Sequence, residues 1–328
     1  MKEVSRLGLT FDDVVLVPQY SEIVSRDDVS TRVEIAENIT LEVPIIAANM
    51  DSITEVAMAI AMDRVGGLGI IHRFMNPEQI KTSVRQLVEA DVKYPAISIG
   101  LNTDIEFVKH LVKQGARIIC LDVAHGDHRR VEEYIKLLSP ELKNKAAIIA
   151  GNVATSSGAC NLRVAGANII KVGIGGGSFC TTRVQTGCGV PQFTAICDTA
   201  GWNTIADGGI RTSGDIMKAL GAGARAVMIG NLFAGTDEAA SPTLYRGSAS
   251  RTAQEQWKGQ NPVYIEGESD RPVTSKGPVA GVVEKLMAGV RSGMSYIGAK
   301  DMEEVPKCAE FMQVTSAGYQ EGLPHGAK

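Results

Sequence analysis

Eight short apolar runs recur along the 328-residue chain, and they constrain its fold more than any other feature. They lie at 44–50, 68–72, 96–100, 118–123, 147–152, 169–174, 203–208 and 226–231, each ending near Gly, Asn, Asp or His. Runs this apolar are typical of strands buried on both faces, as in a parallel sheet. Amphipathic segments at 77–90, 103–114 and 213–220 lie between them and predict helices.

Strands alternating with helices fit an open doubly wound sheet or a closed barrel, and the count of eight favours a single (β/α)8 TIM barrel. Residues 1–43 precede the first strand and are expected to cap the barrel. Residues 236–277 are polar, and an excursion of this length is usually a functional flap or a disordered segment. We expect a mobile active-site flap here. An amphipathic helix at 279–292 completes the barrel, so residues 1–328 are predicted to form one catalytic domain.

Composition excludes several classes of function. The chain is 44% hydrophobic and 21% charged with a net charge of −4, so no nucleic-acid or membrane partner is implied. No apolar run reaches about 18 residues, and the first residues lack an apolar signal core. The six cysteines form no C-x-x-C pair and no His cluster has metal spacing. We therefore expect free thiols in a reducing cytoplasm.

Polar residues recur at the ends of the predicted strands, where a barrel of this type places its active site. These ends carry 49–51, 72–73, Asp122, Asn152, 207–209 and 230–231. The Asp-Gly-Gly and Gly-Asn sequences after the last two strands are typical of a phosphate site, because glycine lets a ligand approach backbone N–H groups. Tight turns between strand and helix would use the same residues.

Residues 173–183 (GIGGGSFCTTR) place a thiol in a glycine loop at a strand end. Cys180 could be a covalent nucleophile, since a thiolate attacks electrophilic carbon readily. The alternative is a packing cysteine. Ser178 could add to the phosphate cradle or simply bond its own backbone. Cys120, inside an apolar run, is predicted to be structural.

Three further groups have open interpretations. His125, after the fourth run, is either a general base or a hydrogen-bonded structural histidine. Asp122 at the same strand end could bind a ribose hydroxyl. Glu266, in the flap, could swing over a ligand and move a proton, or it could be a solvated surface carboxylate.

Residues 173–192 (GIGGGSFCTTRVQTGCGVPQ) resemble the active-site loop of the IMP dehydrogenase and GMP reductase family. Other stretches resemble the family in the same order, at 9–18, 122–126, 150–155, 205–215, 227–235, 245–250 and 291–298. Together they span nearly the whole chain.

The resemblance implies roles for the site residues. Cys180 would attack C2 of a purine nucleotide, with Thr182 and Glu266 as the proton relay. Glu268 is the substitute for Glu266, because the spacing to Lys276 is one residue longer than is typical. Substrate would be held by Asn49, Met50, Ser178, Asp207, Gly208, Gly209, Gly230, Asn231, Tyr245, Ser248 and Ala249.

The resemblance also implies a cofactor, a cation and an assembly. The nicotinamide side would be lined by Asp122, Ala124, Asn152 and Thr182. Backbone carbonyls of Gly175, Gly177 and Cys180 would bind a monovalent cation, expected to be K+. The tail at 319–325, which ends at His325, could supply cation ligands to a neighbouring subunit of a homotetramer.

The family contains two reactions, and the chain has features of both. The dehydrogenase oxidises IMP with NAD and forms XMP with water, which an Arg-Tyr pair in the flap activates. The reductase converts GMP and NADPH to IMP and ammonia. The flap lacks an Arg-Tyr dipeptide, Asn49 and the Ser-Ala-Ser at 248–250 resemble reductases, and no regulatory CBS pair is inserted between His72 and Ala96.

Residues 9–18, 189–192 and 291–298 instead resemble dehydrogenases. The missing Arg-Tyr pair is closest to the chemistry, so we expect an NADPH-dependent GMP reductase. An IMP dehydrogenase that uses NAD and a catalytically silent purine-nucleotide-binding protein are the alternatives.

Overall fold

The segment before the barrel closes its amino-terminal end. The computed structural model describes residue 4, residues 6–259 and residues 262–324. A 3-10 helix (Phe11–Asp13) leads into β1 (Val14–Leu16), and a second one (Arg26–Asp28) precedes a hairpin of β2 (Val33–Ala36) and β3 (Ile39–Leu41). Asn203 and Tyr94, each just before a barrel strand, hydrogen-bond to the hairpin backbone at Ile35 and Thr40. The predicted capping role agrees with this placement.

Eight parallel strands close into a barrel, as the eight apolar runs predict. They are β4 (Ile45–Ala47), β5 (Leu68–Ile71), β6 (Ala96–Ile99), β7 (Ile118–Asp122), β8 (Ala147–Val153), β9 (Ile169–Val172), β10 (Thr204–Asp207) and β11 (Ala226–Ile229). Neighbours in sequence pair in parallel, and β11 pairs with β4 to close the ring. The chain is therefore a (β/α)8 TIM barrel.

Helices surround the strands. They are α1 (Val56–Arg64), α2 (Pro77–Glu89), α3 (Ile105–Lys113), α4 (Arg129–Leu142), α5 (Ser156–Ala165), α6 (Thr182–Thr186), α7 (Gln192–Asp198) and α8 (Ser213–Gly221). The predicted helices at 77–90, 103–114 and 213–220 are confirmed within two residues at each end. Asn76 caps α2 and Pro77 follows at its first position, which satisfies free N–H groups and presets the backbone.

Successive side chains of a barrel strand face opposite sides, one towards the surrounding helices and the next towards the barrel interior. Ile119 and Leu121 of β7, like Ile170 and Val172 of β9, pack beneath the helices. Cys120 belongs to the other buried cluster, in the barrel interior. Side chains alternate between the two faces of a strand, so Lys171, between Ile170 and Val172, points into the interior as well.

The flap, residues 236–277, lies over the carboxyl ends of the strands and has structure of its own. β12 (Leu244–Tyr245) pairs antiparallel with β13 (Arg271–Pro272), and α9 (Arg251–Lys258) lies between them. Its polar sequence did not predict α9, because that helix has little apolar surface. The position agrees with an active-site flap, and its mobility stays a prediction.

The last elements complete the barrel and return to the amino-terminal segment. They are α10 (Val279–Ile297), α11 (Val305–Cys308), β14 (Phe311–Gln313) and α12 (Ser316–Glu321). The predicted helix at 279–292 continues to Ile297, and β14 pairs antiparallel with β1. His325 lies outside the described residues. Within the described part of the chain, no helix is long and apolar enough to span a membrane.

Candidate active site

A cleft of about 260 Å³ opens at the carboxyl ends of the strands, beside a smaller cavity of about 120 Å³. The structure brings the residues assigned to substrate, cofactor, cation and proton relay to these two spaces. The cleft is lined by Asn49, Met50, Asp122, Ala124, Asn152, Gly175, Gly177, Ser178, Cys180, Thr182, Asp207, Gly208, Tyr245, Ser248, Ala249 and Glu266. Gly209, Gly230 and Asn231 line the smaller cavity. His125 is exposed and lines neither, so the structure does not support a general base there.

Cys180 heads a chain of hydrogen bonds that reaches the flap. Its thiol lies 3.2 Å from the hydroxyl oxygen of Thr182, and the Thr182 hydroxyl donates to Glu266 Oε2 at 2.7 Å. The backbone N–H of Thr181 donates to the backbone carbonyl of Glu266 at 2.9 Å, which holds this part of the flap against the cysteine loop. Glu268 is exposed and pairs with Arg271 at 3.2 Å. The geometry therefore favours Glu266 over Glu268 as the relay carboxylate.

The glycines of the cysteine loop are required by close packing. Gly173 has φ +147°, and a Cβ there would lie 2.0 Å from the Asp207 carbonyl oxygen. Gly175 has φ +78° and packs against the stem of Arg183. Arg183 donates from Nε to the Ile174 carbonyl at 3.2 Å and from Nη2 to the Val190 carbonyl. The Arg183 guanidinium thus holds both ends of the loop through two backbone carbonyls.

The side of the cleft next to the smaller cavity is built from a glycine turn and a buried tyrosine. Gly208 and Gly209 both have positive φ, a backbone conformation that residues with a Cβ atom rarely adopt. A Cβ at Gly230 would meet the Met50 sulfur at 2.9 Å and the Tyr245 hydroxyl at 3.1 Å. Burial raises the pKa of Tyr245, although a hydrogen bond with Ser178 opposes the shift. The tyrosine is therefore a neutral donor at the edge of this cavity.

Lys171 joins the two sides of the cleft. Its ammonium lies 3.2 Å from Asp122 Oδ1 and 3.0 Å from Asp207 Oδ2, and its side chain is only 4% exposed. The Asn152 amide donates to Asp207 Oδ2 and to the Gly173 carbonyl, both at 2.8 Å. Two carboxylates, an amide and one buried cation thus form a continuous network across the floor.

The charges of this network shift pKa values. Burial alone would raise the pKa of Asp122, but the charges of Lys171 and of Arg73, 3.3 Å away, lower it below its usual range. Burial alone would lower the pKa of Lys171, but Asp207 and Asp122 outweigh it and raise the pKa. Asp122 and Lys171 are therefore both charged at neutral pH.

Sequence reasoning missed Lys171. The signal was a single lysine inside an apolar run predicted to be buried on both faces, where an ammonium needs a partner. Its partners could not be read from the sequence, because Asp122 and Asp207 lie 49 and 36 residues away.

A buried clasp anchors the flap beside the cleft. The Asp51 carboxylate accepts hydrogen bonds from Arg246 Nε at 3.1 Å and from Trp257 Nε1 at 2.8 Å. The Trp257 ring stacks on Phe74, which follows β5, with ring centres 6.3 Å apart. Arg246, directly after β12, and Trp257 of α9 are thereby tied to the segments that follow β4 and β5.

The predicted cation site rests on carbonyl oxygens. Gly177 and Gly175 belong to the cysteine loop, and the Gly177 carbonyl accepts the Cys180 N–H at 3.1 Å. A carbonyl has a second lone pair, and K+ sites in proteins are built from backbone carbonyls. The described residues contain no cluster of three His, Cys, Asp or Glu side chains that could hold a metal ion. The loop thus fits one side of a K+ site, which stays a prediction.

A larger groove of about 800 Å³ lies at the other end of the barrel, between α3 and α4. Its lining includes Lys113, Arg117 and Lys145. These cations lie near helix carboxyl ends, where positive charge is stabilising. The positions of these three cations are therefore explained by the helix ends beside them.

Fold and site together define a barrel with a candidate cysteine nucleophile, a hydroxyl–carboxylate relay and glycine turns suited to phosphate. Residues 8–325 match the family model for the IMP dehydrogenase / GMP reductase domain. The chain belongs to this family, whose members are oxidoreductases of purine metabolism.

The relatives carry both names of the family. The chain is 37% identical to an inosine-5'-monophosphate dehydrogenase of Cryptosporidium parvum, over 97% of this chain and 95% of the relative. It is 33% identical to the dehydrogenase of Aquifex aeolicus, again over 97% and 95%. Among solved structures, a GMP reductase of Trypanosoma brucei in complex with GMP matches with a TM-score of 0.91 and 28% identity, covering 99% of both chains.

Proposed function

We propose that this protein is a GMP reductase that converts GMP and NADPH to IMP and ammonia through a covalent bond to Cys180. The observation that carries the proposal is the flap, whose described residues place no Arg-Tyr pair at the cleft to activate water. Tyr245 is the flap tyrosine that lines the cleft, while Tyr264 is 84% exposed and follows Val263.

The flap arginines are engaged elsewhere. Arg246 is held by the buried Asp51, and Arg251 pairs with Glu255 on the exposed surface of α9. Arg271 pairs with Glu268 and lies over the Phe179 ring. None of the three lines the cleft, whose arginine is Arg73 from the end of β5. This arrangement suits a reaction that must keep water from the covalent intermediate.

The relay supplies the proton transfers of the first half-reaction. The Cys180 sulfur bonds to C2 of GMP as its proton passes through Thr182 to Glu266. The same relay then returns a proton to the 2-amino group, the C2–N bond breaks, and ammonia leaves. C2 remains bonded to Cys180 and electron-poor.

The second half-reaction needs a reductant on the other wall of the cleft. Asp122, Val123, Ala124 and Asn152 line this wall and can hold a flat ring facing Cys180. The reduced nicotinamide, when bound, supplies a hydride equivalent to C2, and the cysteine leaves as a thiolate. K+ on the loop carbonyls would hold Cys180 in place. We carry K+, NADPH and a homotetramer from the family resemblance as predictions.

IMP dehydrogenase is the second candidate, because the curated relatives at 33% and 37% identity carry that name. It would form XMP from IMP, NAD and water, with a flap base other than an Arg-Tyr pair. Arg271 is the flap residue that we would test first for that role. Its guanidinium lies 5.3 Å from the ring centre of Phe179, which lines the cleft.

The experiment that tests the proposal follows absorbance of the reduced nicotinamide with purified protein. GMP with NADPH should lose absorbance and release ammonia, whereas IMP with NAD should show no gain. Gain in the second mixture with XMP formed would establish the dehydrogenase instead. Silence in both, with nucleotide bound, would favour a catalytically silent binding protein.

The covalent step has its own test. Cys180→Ala should abolish turnover while GMP still binds, because the phosphate and ribose contacts lie elsewhere in the cleft. Isothermal titration of GMP into the variant measures the binding. Substantial remaining turnover would contradict the covalent mechanism.

A further inference from the structure

Lys171 is a buried cation whose position is not explained by packing. Its neighbours in β9, Ile170 and Val172, face the helices, while Lys171 faces the barrel interior and the floor of the cleft. At 4% exposure its ammonium has lost most of its water. A buried charge is destabilising unless it is paired and hydrogen-bonded.

Its two partners belong to different parts of the cleft. Asp207 precedes the Gly208-Gly209 turn on the nucleotide side, and Asp122 ends β7 on the opposite wall. Because Nζ lies 3.0 Å from one carboxylate and 3.2 Å from the other, it bridges them directly. Without a cation between them, the two negative charges would repel each other in a site of low dielectric.

We propose that Lys171 is a positioning residue, which holds the carboxylates of Asp207 and Asp122 in one charged array and so keeps Asp207 ready to accept hydrogen bonds from the bound nucleotide. The inference rests on the proposed function only for the identity of the nucleotide. It names a residue that acts through the two aspartates and does not itself touch the reacting atoms.

The two carboxylates depend on Lys171 to different degrees. Asp122 also faces the Arg73 guanidinium at 3.3 Å and accepts a hydrogen bond from Asn49, with Cys120 and Asp207 as its other titratable neighbours. The other hydrogen bond to the Asp207 carboxylate among the described residues comes from the neutral Asn152 amide. Loss of Lys171 should therefore affect Asp207, and the ligand that contacts it, more strongly.

The test compares Lys171→Met and Lys171→Ala with wild-type protein, by titration calorimetry of GMP binding and by steady-state kinetics. Both variants should bind GMP about ten- to a hundredfold more weakly, as expected when a charged hydrogen bond is lost. The matched control is Lys218→Met, a partly buried lysine outside the cleft that donates to the Phe11 carbonyl at 2.8 Å. It should keep the wild-type affinity.

Chemical rescue separates charge from packing. Lys171 lines the cleft, so a small primary ammonium such as propylammonium can enter the space left in Lys171→Ala and should restore part of the GMP affinity. Propanol, of similar shape without charge, should not. Lys171→Arg, which keeps the charge, should stay closer to wild type than Lys171→Met and covers the case in which the methionine variant fails to fold.

Several results would overturn the inference. They are wild-type GMP affinity in Lys171→Met, equal rescue by propanol, or equal loss in the arginine and methionine variants. The proposed function fails separately, if the wild-type protein does not turn over GMP with NADPH. In that event a charge-dependent loss of nucleotide binding in the variants would still support the role of Lys171.

Discussion

At the scale of single residues, the hydrogen bond to Thr182 distinguishes two glutamates that lie two positions apart in the sequence. Glu266 Oε2 accepts the Thr182 hydroxyl at 2.7 Å, whereas Glu268 is exposed and pairs with Arg271. Glu266→Gln should lower kcat by about 10²–10⁴-fold, the usual contribution of a general acid–base group. Steady-state kinetics with GMP and NADPH measure it.

Glu268→Gln is the matched control, with the same chemical change two residues away. It removes only an exposed ion pair, which contributes about 0–1 kcal/mol, so kcat should stay within a few-fold of wild type. Equal losses in both variants would mean that the relay carboxylate is not specified by the hydrogen bond to Thr182.

At the scale of elements, the flap depends on one buried ion pair. The Asp51 side chain is fully buried and accepts from Arg246 and Trp257. Arg246→Met would leave this carboxylate with the indole N–H alone, and breaking a buried pair costs about 3–5 kcal/mol. Backbone amides at 244–259 should then exchange hydrogen faster, and kcat/KM should fall because Glu266 is carried by the same flap.

Arg251→Met is the control within the flap, since its pair with Glu255 is exposed. Hydrogen exchange at 244–259 should remain close to wild type in this variant. If Arg246→Met leaves both exchange and kcat/KM unchanged, the clasp does not determine the stability of the flap.

At the scale of the whole molecule, a thiol in the barrel interior should make the free energy of unfolding decrease at alkaline pH. Burial raises the pKa of the Cys120 thiol to about 12, against about 8.5 in an unfolded chain. Above pH 8.5 the unfolded state loses this proton and the native state keeps it, so stability falls as pH rises. At pH 10 this group alone costs about 2 kcal/mol of unfolding free energy.

Cys120→Ala removes that contribution. Urea denaturation should show that the stability advantage of wild type over the variant shrinks by about 2 kcal/mol between pH 8 and pH 10. Cys188→Ser, at an exposed thiol, should leave the pH dependence unchanged. A wild-type curve parallel to that of Cys120→Ala would contradict a neutral buried thiol.

The sequence alone determined the barrel and the set of residues at its mouth. Strand alternation, buried parallel runs and glycine turns are local properties, because each depends on the backbone and on residues a few positions away. Eight such runs predicted eight strands, and their polar ends predicted where Cys180, Asp207 and Asn152 would meet.

Tertiary structure alone decided which of these residues touch. The bridge from Lys171 to Asp122 spans 49 positions, the bond from Thr182 to Glu266 spans 84, and the clasp from Arg246 to Asp51 spans 195. Such contacts exist only after the barrel closes and the flap folds over it. No local pattern encodes them, since the favourable charge and hydrogen-bond energies arise between side chains that the chain itself keeps far apart.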